Sequence, residues 1–205
     1  MDSILLATSN PHKLVEVTEI LGPLGLCVRG LGDVGAALPE PVEDELTFEG
    51  NARLKARYYA RETGQVCLAD DSGLEVDALE GAPGVLSARY SGVSGSREER
   101  DHANNLKLVD QLKGVPESER AARFVCAMCL ASPDGVLLAE SRGTFDGVII
   151  DVPRGSNGFG YDPHLLVPEI GQTSAELDPE EKNARSHRGH ATRQIANLIS
   201  NLGKS

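Results

Sequence analysis

Several kinds of residue and segment are scarce or absent in this sequence of 205 residues. It has no tryptophan and two methionines, and aromatic residues make up 4% of it. No segment approaches the run of about 20 apolar residues that a membrane-spanning helix needs. The first residues also lack the basic and apolar regions of a secretory signal. We therefore expect no membrane association and a location in the cytoplasm.

Positive charge is also scarce, since 20 lysines and arginines face 31 acidic residues and the formal net charge is −11. Duplex nucleic acids and anionic membranes bind basic surfaces, so we expect neither as a partner. Small anionic ligands respond to local charge, so the net charge does not exclude them as ligands of this protein. With 40% hydrophobic and 25% charged residues, the composition is that of a globular protein.

The sequence has four cysteines and no cysteine pattern typical of a metal site or a disulfide framework. Cys126 and Cys129 form a C-x-x-C pair within a predicted strand, where this spacing directs the two side chains to opposite faces. Neither Cys27 nor Cys67 has a second cysteine or a histidine nearby at a spacing that would complete a metal site. We expect reduced thiols in the core.

Apolar and amphipathic segments alternate in the first half of the chain, as in α/β proteins. Further along, Pro133-Asp134-Gly135 separates two apolar runs and predicts a β-hairpin. We predict one α/β domain over residues 1–205, with a mixed sheet, flanking helices and two lobes around a central cleft. The predicted helices are 11–21, Phe48–Thr63, 97–113, one capped by Asp178, and 186–202; the predicted strands are 3–8, 27–31, 66–69, 74–78, 123–131, 136–141 and 148–152.

The segment Thr8-Ser9-Asn10-Pro11-His12-Lys13 joins the first predicted strand to the first predicted helix. The N-terminus of a helix presents unpaired N–H groups and a dipole that attract anions. The two hydroxyls and Lys13 would add to that attraction, so the segment fits a phosphate-binding site. A plain helix cap with Lys13 in solvent explains the pattern as well, and the Walker A spacing is missing.

Two adjacent carboxylates, Asp70 and Asp71, follow an apolar run. Their burial needs compensation, which Mg²⁺ could provide because it binds one or two carboxylates together with substrate phosphates. One of them could instead deprotonate a water, and a simple turn that ends the strand is the alternative. Glu43 lies in an acidic cluster before the helix that carries Lys55; it could complete a metal shell or compensate the helix dipole.

The segment 157–163 places Phe159 and Tyr161 beside glycines in a chain poor in aromatic residues. An exposed ring there could stack on a nucleobase, and a loop with Phe159 in the core is the alternative. Further on, Lys182, His187 and Arg188 lie near a helix start and offer donors to carbonyls and phosphates, or form a solvated basic helix end. We do not expect a zinc pair of His187 with His190.

Together these segments resemble the inosine triphosphate pyrophosphatase family over nearly the whole chain. The resemblance implies an elongated α/β fold with a cleft between two lobes, a homodimer, and Mg²⁺-dependent cleavage of ITP, dITP or XTP to the monophosphate and pyrophosphate. The motifs that carry it are Leu6-Ala-Thr-Ser-Asn10-x-x-Lys13, Glu43-x-x-x-Thr47-Phe48, Asn51-Ala-x-x-Lys55-Ala56, Ala69-Asp-Asp-Ser-Gly-Leu-Glu-Val76, Gly81-Ala-Pro-Gly-Val-Leu-Ser-Ala-Arg-Tyr-Ser-Gly92, Gly158-Phe-Gly-Tyr-Asp-Pro163 and Ser186-His187-Arg188.

The resemblance also implies roles for individual residues. Asp71 would be the general base and a metal-linked carboxylate, and Glu43, with Asp70, would bind Mg²⁺. The triphosphate of the substrate would be held by Thr8, Ser9, Asn10, Pro11, His12, Lys13 and Lys55, and Ser72 would also contact the substrate. The base and sugar would be held by Phe159, Gly160, Tyr161, Asp162, Lys182, His187 and Arg188.

One departure concerns the helix that carries Lys55. Many family members have Glu directly before the Asn-Ala pair, whereas this chain has Gly50 there and Glu49 before it. Any metal contact from that Glu would have to come from Glu43 or Glu49. Two other functions stay open, a pyrophosphatase for damaged pyrimidine or general deoxynucleotides and a nucleotide-binding sensor without catalysis.

Overall fold

The computed structural model describes residues 3–34 and 38–202, except for the side chain of His12. Its strands are β1 (Ser3–Leu6), β2 (Cys27–Gly30), β3 (Cys67–Val76), β4 (Ala121–Ala131), β5 (Leu137–Ile149), β6 (Leu165–Val167) and β7 (Gln172–Thr173). Its α-helices are α1 (Pro11–Leu21), α2 (Phe48–Thr63), α3 (Arg97–Gln111), α4 (Pro179–Arg185) and α5 (His187–Leu202).

The strands form one seven-stranded sheet in the order β2-β1-β3-β4-β5-β6-β7. β1 runs parallel to both of its neighbours, β2 and β3. At the other edge, β6 runs antiparallel to both β5 and β7. The sheet is therefore mixed, and the predicted α/β class is confirmed.

Local side-chain chemistry explains several helix ends, although α3 ends at Gln111 rather than at the predicted residue 113. The hydroxyl of Thr47 caps α2 by accepting from the Gly50 N–H at 3.0 Å, and Gly64, with φ of +64°, ends the helix. Ser96 and Glu99 form the reciprocal capping box of α3. Asp178 caps α4 by accepting from the Glu181 N–H at 2.8 Å. These caps satisfy backbone donors that would otherwise lack partners.

Two of the breaks predicted between strands are wrong. β3 runs without interruption through the acidic pair, where the sequence predicts a turn between two strands, and β5 joins the predicted strands 136–141 and 148–152. The short strands β6 and β7 were not predicted. Turn propensity at 70–73 is overridden because the carboxylates find cationic partners inside the fold, which removes the penalty for keeping them within a strand.

The chain divides into two compact units, and β3, β4 and β5 each contribute residues to both. The first comprises Met1–Asp71, Cys126–Gly143 and His187–Ser205, and the second Ser72–Val125 and Thr144–Ser186. The core of the first unit includes side chains from β1, α1, β4 and α5; that of the second includes side chains from β3, α3, β4 and β5.

The thiol prediction holds for three of the four cysteines. Cys67, Cys126 and Cys129 are buried, whereas Cys27 is exposed at the start of the edge strand β2, and all four are free thiols. Within residues 3–34 and 38–202, no helix is both long and apolar enough to cross a bilayer.

Candidate active site

The first unit contains a buried lysine between two carboxylates. The Lys55 Nζ lies 3.1 Å from the Glu43 Oε1 and 3.2 Å from the Asp71 Oδ1. Burial lowers the pKa of Lys55, but the charges of Asp71, Asp70 and Glu43 outweigh burial and raise it above its ordinary value. Lys55 is therefore protonated, and from α2 it neutralises one carboxylate on β3 and one in the loop before the helix.

Both carboxylate oxygens of Asp71 accept hydrogen bonds. Asn51, four residues before Lys55 on α2, donates from its Nδ2 to the Asp71 Oδ2 at 3.1 Å, and Lys55 donates to the Oδ1. Burial raises the pKa of Asp71 and Glu43 raises it further, whereas Lys55 and Asn51 lower it; the net shift is upward. A fixed, partly desolvated carboxylate with a raised pKa is suited to act as a general base.

The carboxylate of Asp70 lies in a different environment, as successive strand side chains point to opposite faces. Its Oδ2 lies 2.7 Å from the Lys13 Nζ and 3.7 Å from the Arg188 Nε, and it accepts a long hydrogen bond from the Cys126 thiol at 3.9 Å. Burial raises the pKa of Asp70, but Lys13, Arg188 and Lys55 outweigh burial and hold it well below its ordinary value. Asp70 is thus the ionised centre of a buried ion-pair network.

Arg188 extends that network toward α1. Its Nη1 lies 2.5 Å from the Glu16 Oε2, and the residue is 2% exposed. Burial lowers the pKa of Arg188, but Asp70 and Glu16 outweigh it and raise the pKa. Ion pairs of this network therefore connect α1 and α5 to each other and to Asp70 on β3.

The segment before α1 lies beside this network. Pro11 begins the helix as predicted, and the Asn10 N–H donates to the Thr8 Oγ1 at 3.1 Å. Ser9 is exposed, Lys13 is half-buried, and Lys13 pairs with Asp70. His12 lies in α1, but its side chain is outside the described part of the structure.

A divalent metal fits only some of the predicted ligands. Among the described side chains, no group of three or more His, Cys, Asp and Glu is arranged to hold an ion. Mg²⁺ needs only one or two protein carboxylates when phosphates complete its shell. Glu43 and Asp71, which share the Lys55 ammonium, fit that requirement; Asp70, enclosed by Lys13 and Arg188, fits it less well.

The departure at Gly50 has a structural counterpart. A Cβ built on Gly50 would lie 2.8 Å from the Glu45 Cβ and 3.0 Å from its Oε2, so the Glu45 side chain lies in the space that a residue 50 side chain would need. Glu49 pairs with Arg142 at 2.9 Å. Of the two glutamates considered from the sequence, only Glu43 contacts Lys55.

The second unit contains a separate cluster around Asp162. This buried carboxylate accepts from the Phe159 N–H at 2.8 Å and from the Ser174 hydroxyl at 2.6 Å, and its Oδ2 lies 2.6 Å from the Lys182 Nζ. Gly158, with φ of +79°, passes so close that a Cβ there would lie 2.2 Å from the Asp162 Oδ2. The cluster fixes the backbone on which Phe159 is carried.

The two aromatic residues of this loop differ in environment. Tyr161 is 4% exposed, donates from its hydroxyl to the Ser87 carbonyl at 2.8 Å, and has a pKa raised by burial. Phe159 is half-buried, and the Lys182 Nζ lies 5.6 Å from its ring centroid. Tyr161 therefore belongs to the core, and Phe159 is the more accessible ring.

The structure divides the predicted base-side group. Lys182 and the segment Phe159–Asp162 lie in the second unit, whereas His187 and Arg188 lie in the first, at the start of α5. Ser72 is the first residue of the second unit and is half-buried.

The sequence predicted no role for Asn51, Glu16 or Arg97. For Asn51, the four-residue spacing to Lys55 on the same helix was an available signal.

Comparisons with known proteins cover nearly the whole chain. The model of the Ham1 family matches residues 4–198. A dITP/XTP pyrophosphatase of an Exiguobacterium species is 51% identical over 192 residues, 94% of each chain. A dITP/XTP pyrophosphatase of Geobacter sulfurreducens is 50% identical over 99% of this chain and 98% of its own.

Solved structures give the same result for the fold. The HAM1 protein from Coxiella burnetii matches with a TM-score of 0.87 and 39% identity, over 98% of this chain and all of its own. The Staphylococcus aureus Ham1 protein matches with a TM-score of 0.84 and 36% identity, over 99% of this chain and all of its own.

Proposed function

The chain belongs to the Ham1 family, and we propose that it hydrolyses nucleoside triphosphates with deaminated purine bases, such as ITP, dITP and XTP, to the monophosphate and pyrophosphate. It is thus a hydrolase of acid anhydrides that would clear such nucleotides from the pool. The observation that carries the proposal is the Asn51–Asp71–Lys55–Glu43 cluster, where a carboxylate of raised pKa lies beside a cation and a second carboxylate.

We propose Mg²⁺ as the metal, held by Glu43 and Asp71, with Asp70 contributing charge from its ion-pair network. When bound with the triphosphate, it would offset the negative charge of the transition state. Lys55 already balances both carboxylates, so a metal there would release its ammonium toward the phosphates.

The proposed reaction is attack of water on the α-phosphorus. Asp71 accepts a proton from the water as the new O–P bond forms, and the bond to the pyrophosphate leaving group breaks. Asn51 and Lys55 hold the Asp71 carboxylate in one orientation. Lys13 and the segment from Thr8 to His12, where Pro11 opens α1, would bind the triphosphate, as would Lys55 and Ser72.

Base selectivity is proposed to depend on the purine 6-position. Phe159 would stack on the base, and Gly160, Tyr161 and Asp162 would fix its loop. Lys182, His187 and Arg188 would supply donors to the base and sugar. Such donors would pair with a 6-carbonyl but face the 6-amino group of ATP, and an unpaired buried polar group costs about 1–3 kcal/mol. GTP would have to be rejected through its 2-amino group.

Product analysis tests the proposal. The protein is incubated with Mg²⁺ and ITP, ATP or GTP, and pyrophosphate and orthophosphate are assayed separately. We expect IMP and pyrophosphate from ITP, with ATP and GTP nearly inert. Orthophosphate as the primary product would contradict attack at the α-phosphorus. Turnover of dUTP or methylated pyrimidine nucleotides instead of ITP would favour a pyrimidine pyrophosphatase, and binding without turnover would favour a sensor.

We also propose that the protein is a homodimer that acts in the cytoplasm on a free nucleotide, without a nucleic acid or membrane partner. Light scattering after size exclusion should give twice the monomer mass of 21.8 kDa. A monomer mass at micromolar concentration would contradict the dimer but leave the chemistry of the site unaffected.

A further inference from the structure

The accessible ring of Phe159 has a cationic neighbour to which the sequence analysis assigned no role. The guanidinium carbon of Arg97 lies 4.2 Å from the ring centroid, nearer than the Lys182 Nζ at 5.6 Å. At this separation a planar guanidinium covers one face of an aromatic ring. Arg97 is the first residue of α3, and its side chain is 38% exposed.

Arg97 is one of three polar residues of α3 that contact the same loop. Arg97, Asp101 and Asn105 are spaced by four residues, so they lie along one face of the helix. Asp101 accepts from the Gly160 N–H at 3.0 Å, and Asn105 donates from its Nδ2 to the Gly160 carbonyl at 2.9 Å. The Asp101 Oδ2 also lies 3.8 Å from the Arg97 Nε. This face of α3 therefore holds both the loop backbone and the ring.

The loop depends on such contacts because its own backbone is permissive. Gly158 and Gly160 flank Phe159 with φ of +79° and +62°. Glycine populates these conformations at no steric cost, but it restricts the chain less than any other residue. The orientation of the ring is therefore set by the groups packed on it.

We propose that Arg97 is a positioning residue that fixes the Phe159 ring by covering one of its faces, so that the ring is held in place to stack on the purine base. This inference rests on the proposed function, in which Phe159 stacks on the base. Arg97 acts through the ring and needs no contact with the reacting atoms. Its removal should therefore weaken substrate affinity and leave the rate of the chemical step unchanged.

The first test compares single variants with ITP as substrate. Arg97→Ala should raise KM about two- to fivefold, the factor that corresponds to an exposed cation–π contact, and leave kcat unchanged. Arg97→Lys should recover part of the affinity because it keeps the charge but lacks the planar group. Arg100→Ala is the matched control, since Arg100 is an exposed arginine of the same helix. Thermal unfolding of each variant verifies that α3 stays folded.

The second test is a double-mutant cycle with Phe159→Ala. If Arg97 acts through the ring, Arg97→Ala should add no further KM increase once Phe159 is truncated. Independent increments, an unchanged KM in Arg97→Ala, or a lower KM because the guanidinium competes with the base would each overturn the inference. An unchanged KM in Phe159→Ala alone would reject Phe159 as the base platform of the proposed function, and this inference with it.

Discussion

At the scale of single residues, the adjacent side chains Asp70 and Asp71 show how neighbours in sequence acquire different chemistry. Both are buried, yet cations lower the pKa of Asp70 and burial raises that of Asp71. A pair of carboxyl groups whose pKa values are pushed apart in this way is typical of sites that divide tasks between two acids. We propose that Asp70 positions charge and that Asp71 accepts the proton.

Asp71→Asn should lower kcat about 10²- to 10⁴-fold, the usual contribution of a general base. Nucleotide binding should largely persist, because the amide keeps the shape of the carboxylate and its oxygen can still accept one of the two hydrogen bonds that Asn51 and Lys55 donate. Steady-state rates and equilibrium binding of ITP measure the two effects. An unchanged rate would reject Asp71 as the base.

Asn51→Ala should shift the acidic limb of the kcat/KM profile to higher pH. As the proposed base, Asp71 would have to be ionised, so activity should be lost as pH falls through its pKa. The Asn51 hydrogen bond lowers that pKa, and its removal should raise it. Asn197→Ala, at an exposed site on α5, is the control. A shift toward lower pH, or none, would contradict this arrangement.

Glu43→Gln should increase the Mg²⁺ concentration needed for half-maximal activity, because a neutral amide is a weaker ligand for a hard cation than a carboxylate. Removing metal with EDTA should abolish turnover in the parent protein, and added Mg²⁺ should restore it. Glu40→Gln, an exposed glutamate of the same loop, is the control and should keep the parental Mg²⁺ dependence.

Asp70→Asn should reduce the free energy of unfolding at pH 7 by about 3–5 kcal/mol, because it leaves the buried Arg188 without a charged neighbour on β3. Since the folded-state pKa of Asp70 lies below its ordinary value of 3.8, its ion pairs stabilise the fold above that pH and less as pH falls below it. The difference between the two proteins should therefore shrink in acid. Glu140→Gln, which breaks the exposed pair with Arg53, should cost about 1 kcal/mol or less.

At the scale of elements, close backbone contacts decide how the segments of the first unit pack. Gly143, in β5, approaches the start of α5 so closely that a Cβ would lie 2.2 Å from the His187 carbonyl oxygen and 2.7 Å from the Ala191 nitrogen. Both neighbours are backbone atoms and cannot move aside like a flexible side chain. The hydroxyl of Ser141 also donates to the Ala191 carbonyl at 2.9 Å.

Gly143→Ala should therefore lower the free energy of unfolding by about 1–3 kcal/mol, the usual cost of overpacking. Gly32→Ala is the matched control, because a Cβ there meets no atom of the described residues within 4 Å and its φ is not positive. It should change stability by about 0.5 kcal/mol or less. Equal effects in urea unfolding would contradict the close packing at Gly143.

The element boundaries also show which local signals were reliable. α2 and the capping box of α3 follow from side chains within a few residues of each helix end, so the sequence predicts them. The break predicted at 70–73 between two strands was wrong, because cations distant in sequence, Lys13 and Arg188, stabilise the Asp70 carboxylate within a strand. β6 and β7 have only three and two residues, too short for an alternating pattern.

At the scale of the whole molecule, the accessibility of the four cysteine thiols to a reagent tests which parts of the chain are buried. Burial raises the pKa of Cys67, Cys126 and Cys129 to about 12, whereas Cys27 is exposed. In the native protein at pH 8, a thiol reagent such as DTNB should therefore titrate one group rapidly, and in denaturant all four. Rapid reaction of more than one native thiol would contradict the buried positions of the others.

The sequence by itself determined the α/β class, most of the helix ends to within two residues, the family and the residue types of the site, because these depend on short-range patterns and motif spacing. Only the tertiary structure decided that Asp70 is enclosed by Lys13 and Arg188, that Asn51 and Lys55 hold Asp71, and that Arg97 covers Phe159. The partners of Asp70 come from α1 and α5, at opposite ends of the chain. Ionisation and orientation depend on neighbours in space, and folding brings those neighbours together from distant parts of the sequence.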